Sequence, residues 1–326
     1  MRVGEPKPDG ISSVILAAGA GRRIQPLGGV LPKALLPVMG QPLIAWQLEA
    51  LREQGIVEVV VVIGHLGDRI ADTIGDGSKF GMQVTYAEQV SRDGISHALA
   101  CVEGKVERPF LLLLGDIFFA KGDLEELLRR FLKPGTDGVL AVKKEDDIDK
   151  IRKNYCVEMS PSGDTVRRVV EKPEDPRSSW KGTGLYAFSP DIFDAIRRTG
   201  RSALRNEFEL TDAIQVYIDM GSCVRTSESK APDFNLSEAR DLLELNLFVL
   251  RSQGQACYVA PTAETGDPVQ LDRCVVLSGA KVESGAQLEE CLVFEDERVV
   301  AGRYRRTIFV GGKMLSCETS SPAPGG

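Results

Sequence analysis

No stretch of this 326-residue chain stays apolar for the ~18 residues that a membrane span requires. Its first ten residues, MRVGEPKPDG, lack the apolar centre of a secretory leader, so a cytoplasmic protein is expected, with residues 1–10 a disordered lead-in. Histidine is nearly missing. His65 has no serine or carboxylate constellation beside it, which favours an N-cap or loop role over catalysis. The seven cysteines are odd in number and contain no C-x-x-C pair, so neither a disulfide framework nor a zinc site is expected. Cys257, Cys274 and Cys291 do recur every seventeen residues, as small buried residues on successive turns of a repeat would. Positive charge is in deficit: the net charge of -7 argues against a nucleic-acid partner, and any phosphate chemistry must use a local basic site. No G-x-x-x-x-G-K-[ST] occurs, which excludes a Walker loop.

What is present is an ordinary globular composition, 43% hydrophobic and 27% charged, with one unusual stretch from Val14 to Val38, VILAAGAGRRIQPLGGVLPKALLPV. An apolar run breaks into small residues at Ala17 to Gly21, and Arg22, Arg23 and Lys33 follow. A buried strand entering a glycine turn gathers backbone N–H groups, and cations next to them make a phosphate site. The stretch is not a dinucleotide fingerprint, because Ile24 stands where the third glycine belongs.

The pattern L-A-A-G-x-G-x-R followed by P-K-A-L-L-P-V, with Arg23 and Lys33 ten residues apart, resembles the sugar-1-phosphate nucleotidylyltransferases. That resemblance implies a Rossmann-like, doubly wound and mostly parallel α/β sheet. It also implies nucleotide binding by Leu16, Ala17, Ala18, Gly19 and Gly21, with Arg23 and Lys33 as catalytic cations. Family members usually have threonine where this chain has Arg22.

Further along, Pro42 to Gln54 has helical spacing and stops at Gly55, and Ile56 to Ile63 reads as a strand covered on both faces. A third strand, Gln83 to Ala87, leads to Gln89 and Gly94: an amide with donor and acceptor, and a residue that lets backbone come close. The resemblance makes these the base-reading residues, with His97 where members often carry another glutamine. Phe110 to Asp116, FLLLLGD, puts a carboxylate at the C-terminal edge of a buried strand, where open α/β sheets bind ligands. Asp116 is therefore a nucleotide-site and metal-ligand candidate, and Asp123 a cap for a helix over 124–132.

A hairpin is expected around Ser162-Gly163-Asp164, ending in Glu171-Lys172-Pro173. By resemblance Glu171 contacts the sugar, Lys172 its phosphate, and Gly184 lies nearby; Cys156 replaces a usual glycine and is expected to narrow or reshape the sugar pocket. In Asn206 to Ala213 either Thr211 or Glu209 is near the sugar, or the segment is an acidic helix start. Ala231 to Asn246 resembles the family segment with the second metal-binding side chain, a position the resemblance puts on Asn235, with Asp233 an alternative carboxylate. The opposing structural reading has Ser237 capping a helix and Asn235 making the turn.

From residue 271, Val276, Val282, Leu288, Phe294 and Val300 recur every six residues, a hexapeptide texture that predicts a coil or two of β-helix. The expected domains are a catalytic domain over 11–250, a short left-handed β-helix-like extension over 251–315 and a tail over 316–326. The chemistry expected is Mg²⁺-assisted attack of a sugar-1-phosphate on the α-phosphorus of a nucleoside triphosphate, dTTP or UTP favoured and GTP next. A regulatory nucleotide-sugar-binding subunit and a cytidylyltransferase acting on a small alcohol phosphate are the alternatives. A homo-oligomer would cover the open end of the coil.

Overall fold

Runs of valine, isoleucine and leucine with no polar interruption form the middle of a sheet, because strands covered by helices on both faces have no solvent side. The computed structural model describes residues 10–19, 21, 24–161, 163–203, 205–230, 232 and 234–318. The chain divides into two compact units, Met1–Ala20 with Ile44–Asp233, and Gly21–Leu43 with Phe234–Gly326.

The first unit holds a nine-stranded sheet built from β1 (Ser12–Leu16), β2 (Glu58–Ile63), β3 (Gln83–Glu88), β4 (Phe110–Leu114), β5 (Gly138–Lys144), β6 (Tyr155–Met159), β7 (Val166–Glu171), β8 (Trp180–Phe188) and β9 (Val224–Glu228). Its order is β7-β6-β8-β4-β1-β2-β3, with β5 on β8 and β9 on β5. β1 pairs in parallel with both β2 and β4, Leu16 lying opposite Val62 on one side and Leu114 on the other. The expected Rossmann-like half is thus present, and beyond β4 the long β8 runs antiparallel to it. Val14, Val62, Leu112, Leu140, Phe110, Phe188 and Tyr217 are buried in one core, with the Phe110 and Phe193 rings stacked at 5.7 Å.

The helix expected over 42–54 is Leu43–Glu53. The helix after Asp116 spans Lys121–Phe131, and Asp123 does not cap it. Lying within the first turn and buried, the Asp123 carboxylate accepts instead from Ser229 Oγ at 2.6 Å and from the Lys230 N–H at 3.1 Å. A buried carboxylate needs donors, and a distant loop supplies them.

In the second unit, parallel strands stack into three short sheets, one of them Tyr258–Val259, Val275–Val276, Leu292–Val293 and Thr307–Val310, closed by the antiparallel Lys313–Ser316. The β-helix extension is therefore longer than a coil or two and begins at Tyr258. Its repeat is not a strict hexapeptide. Val276 lies opposite Val293 and Val282 opposite Val299, coils of seventeen residues, and the next step, Val293 to Phe309, takes sixteen. The slip turns Val300 outward, 52% exposed, and puts Val299 in the core. It also accounts for the cysteine spacing, since Cys274 and Cys291 occupy equivalent interior positions with Cys257 packed against them. Arg273, Glu290 and Arg306 share a positive φ at successive corners and pair with one another, Arg273 to Glu290 at 3.1 Å and Arg306 to Glu290 at 2.6 Å. Among the described residues no helix is long and apolar enough to cross a membrane.

Candidate active site

At the C-terminal end of β1 the chain leaves the sheet through Ala17 and Ala18. The Ala17 N–H donates to Val62 O at 2.8 Å, and the Gly115 N–H to Leu16 O at 2.8 Å. A Cβ on Gly115 would come within 2.9 Å of Leu16 O, and one on Gly64 within 3.0 Å of the Ala18 Cβ. The strand end is thus flanked closely by backbone on both sides, which is why small residues stand there. Gly19 follows, exposed, and Asp116 comes directly after Gly115 at the same edge, half-buried.

The turn carrying Asp116 is gripped by a residue that sequence reasoning missed. Gln47, 2% exposed, donates through Nε2 to Leu114 O at 2.9 Å and to Ile117 O at 2.8 Å. One amide thereby fixes the backbone on both sides of Asp116. Its only signal was a polar residue in the apolar stripe of helix 43–53. Gly184, with φ +85°, packs on the same strand end: a Cβ there would meet Leu114 Cδ1 at 2.9 Å.

At the end of β3, the buried Gln89 anchors its N–H to Ile63 O at 2.8 Å and places its side-chain Nε2 3.1 Å from Gly94 O and 3.2 Å from His97 Nδ1. Gly94 adopts φ +109°, and a Cβ would come within 2.4 Å of Phe208 O. Phe208 N–H donates to Asp93 O at 2.7 Å and Ser96 N–H to Phe208 O at 3.0 Å. Phe208 and Arg201 were not singled out in the sequence, yet the Arg201 guanidinium lies 4.6 Å over the Phe208 ring and pairs with Asp93 at 3.0 Å.

Glu171 ends β7 and accepts from Thr211 Oγ1 at 3.3 Å, with Lys172 Nζ 3.5 Å from its other oxygen. Lys172 has φ +41° and donates its N–H to Asn154 O at 2.8 Å. Of the two residues weighed in the 206–213 segment, Thr211 touches Glu171. Glu209 sits at the N-cap of helix Leu210–Asp219 without bonding to it, 2% exposed and 3.3 Å from Arg205 Nη1. Burial, then the charge of Glu171, pushes its carboxyl above the usual range. Cys156 does not narrow this region. In the β6–β7 pairing Tyr155 lies opposite Glu171 and Cys156 opposite Val170, so strand alternation points the thiol to the other face, where Sγ donates to Ser178 O at 3.3 Å.

In the second unit Gly21 and Gly28 cross closely: a Cβ on Gly28 would come within 2.3 Å of Gly21 O, and one on Gly21 within 3.6 Å of Lys33 Cγ. Lys33 opens a 3-10 turn, Lys33–Leu35, that leads to the hairpin Pro37–Val38 and Gln41–Pro42. Asn246, fully buried, fastens that hairpin: its Oδ1 accepts from Met39 N–H at 2.8 Å and its Nδ2 donates to Pro37 O at 3.0 Å. Asn235 is exposed, with Ser237 Oγ 3.5 Å from its Oδ1. Ser237 is not the helix cap. Glu238 is, in a capping box with Asp241, whose Oδ2 accepts from Glu238 N–H at 2.7 Å. Arg23, Arg22 and Asp233 lie outside the described residues.

Among the described residues no cluster of three or more acidic, histidine or cysteine side chains could hold a metal alone. Asp116 and Asn235 each offer oxygen, the donor a hard cation takes, and Mg²⁺ completes its shell with phosphate oxygens and water. Taken singly, the oxygen of each suits Mg²⁺ by donor chemistry.

The family profile described as nucleotidyl transferase matches residues 12–231. A glucose-1-phosphate thymidylyltransferase from Streptomyces griseus is 34% identical over 76% of this chain and 68% of its own. A UTP–glucose-1-phosphate uridylyltransferase, AglF, from Haloferax volcanii is 33% identical over 66% of this chain and 86% of its own. The solved structure of a UDP-glucose pyrophosphorylase complexed with UDP-glucose shares the fold, with a TM-score of 0.64 at 22% identity, covering 74% of this chain and 99% of that one. A glycine-flanked strand end followed by a carboxylate, in a chain this similar over this much of its length, makes the protein a member of the nucleotidyl transferase family.

Proposed function

We propose that this protein transfers a nucleotidyl group from a nucleoside triphosphate to a sugar-1-phosphate, releasing pyrophosphate and forming an NDP-sugar. The observation that carries the reading is the Leu16–Ala18 strand end beside the Gln47-held turn of Asp116, a backbone-lined edge with a carboxylate. The nucleophile is already anionic, so no general base is required; the barrier lies in bringing two polyanions together. In this reading Arg23 and the amides of Gly19 and Gly21 bind the β- and γ-phosphates, and Lys33 offsets charge at the reacting phosphates. Gln89 and Gly94 bind the base, Glu171 and Gly184 the sugar, and Lys172 the sugar phosphate. Mg²⁺, held through Asp116 and Asn235, supplies Lewis-acid stabilisation of phosphoryl charge.

The preferred triphosphate is dTTP or UTP, with GTP next, in a cytoplasmic protein whose catalytic domain covers 11–250. The names of the curated relatives, thymidylyl- and uridylyltransferases of glucose-1-phosphate, support the base preference.

The test is pyrophosphate release across a panel of triphosphates and sugar phosphates. Release with one pair, abolished by Asp116→Ala with the thermal midpoint nearly unchanged, is the expected result. No release with any pair alongside retained nucleotide-sugar binding would leave a regulatory subunit instead.

A further inference from the structure

We infer that His97 is a positioning residue that fixes the Gln89 amide as a pure acceptor toward the nucleotide base. The inference deepens the reading above and rests on Gln89 being where the base binds. Gly94 O can only accept, so the amide atom 3.1 Å from it is the nitrogen, by chemistry rather than by convention. The second hydrogen of Nε2 then faces His97 Nδ1 at 3.2 Å, and that nitrogen must carry a lone pair. His97 is accordingly the neutral Nε2–H tautomer. Both amide hydrogens are used inside the protein, and Oε1 is what Gln89 has left to offer. An acceptor at that place selects bases with a ring N–H, namely uracil, thymine and guanine, over cytosine and adenine, whose corresponding ring nitrogen is itself an acceptor.

The imidazole is held where it can do this. Its ring stacks at 6.4 Å on Phe208, which Arg201 covers with its guanidinium, and Cys101 Sγ donates to the His97 carbonyl at 3.3 Å. Asp93 faces it as well. The hydrogen bond from Ser91, and then that from Arg201, keep the Asp93 carboxyl below the usual range, so it stays an anion as pH falls. A second proton on His97 would turn Nδ1 into a donor aimed at a donor. Rotating the amide would only bring Oε1 against Gly94 O.

The experiment measures dissociation constants for UTP and CTP by calorimetry at pH 8 for wild type, His97→Leu and His97→Gln, with ¹⁵N shifts of His97 in the wild type. The wild-type Nδ1 should be unprotonated at pH 8. His97→Leu should weaken UTP about tenfold and narrow the UTP-to-CTP preference by a similar factor. His97→Gln, which restores an acceptor at that place, should regain the preference. A protonated Nδ1 at pH 8, or a folded His97→Leu with wild-type preference, overturns the proposal. Pyrophosphate release is scored separately. Binding that depends on His97 without turnover would refute the transfer reaction and uphold this inference; turnover with a base preference indifferent to His97 would do the reverse.

Discussion

Gln47 Nε2 donates to Ile117 O at 2.8 Å, and its other hydrogen reaches Leu114 O, so one buried side chain sets the backbone on either side of Asp116. Gln47→Leu removes both bonds while keeping the volume. One buried and one part-buried carbonyl then lose this donor, at a cost of about 1 to 3 kcal/mol. The thermal midpoint should fall, and, if Asp116 holds Mg²⁺, the Mg²⁺ concentration for half-maximal rate should rise several-fold. A magnesium titration of the purified variant checks this; an unchanged requirement would mean the turn keeps its shape unaided.

Thr211 Oγ1 lies 3.3 Å from Glu171 Oε2 and is the hydroxyl that orients this carboxylate. Thr211→Val should raise KM for the sugar phosphate about three- to tenfold, one hydrogen bond's worth, with KM for the triphosphate unchanged. Steady-state kinetics with each substrate varied in turn would show it. Equal rises in both constants would remove Glu171 from the sugar side.

Glu209 gives a pH-dependent stability. Its carboxyl is raised by burial and then by Glu171, so the folded state binds this proton more tightly than the unfolded state. The sign follows: the group favours folding at low pH, and that contribution is lost as pH rises from the ordinary glutamate range through the raised folded value. Glu209→Gln should therefore gain stability over wild type at pH 8, with the gap closing toward pH 4. Thermal melts across that range decide it. A variant less stable at pH 8 would show that the Arg205 pair outweighs the desolvation.

Gly94→Ala tests the close approach under the loop proposed to read the base. With φ +109° and Phe208 O at 2.4 Å from a Cβ, the loop or the 206–209 segment must shift. Backbone contacts do not yield cheaply, and triphosphate affinity should fall at least tenfold with a modest loss of stability. Unchanged nucleotide binding would mean that Gly94 lies away from the base.

The candidate site residues could be named from residue order because the patterns that mark them are local: a strand that ends in small residues, a strand that ends in Gly115-Asp116, a Glu-Lys pair before Pro173. The strands themselves were legible because β-branched and leucine runs such as Val59 to Val62 have one stable use in a chain of this length. Asp123 was misassigned for a physical reason: capping is a local pattern, whereas its real donors, Ser229 and Lys230, lie over a hundred residues away.

By itself the sequence determined the period-two and apolar runs, the glycine turns and the repeating coil, because these depend on neighbours within a few residues. Only the tertiary structure decided which polar side chains serve them. Gln47, Asn246 and Phe208 act through partners far along the chain. Cys156 was turned from the Glu171 face by strand alternation, and Val300 was put outside by a coil of seventeen residues instead of eighteen. Long-range hydrogen bonds and register are properties of the packed molecule, and a list of residue types does not contain them.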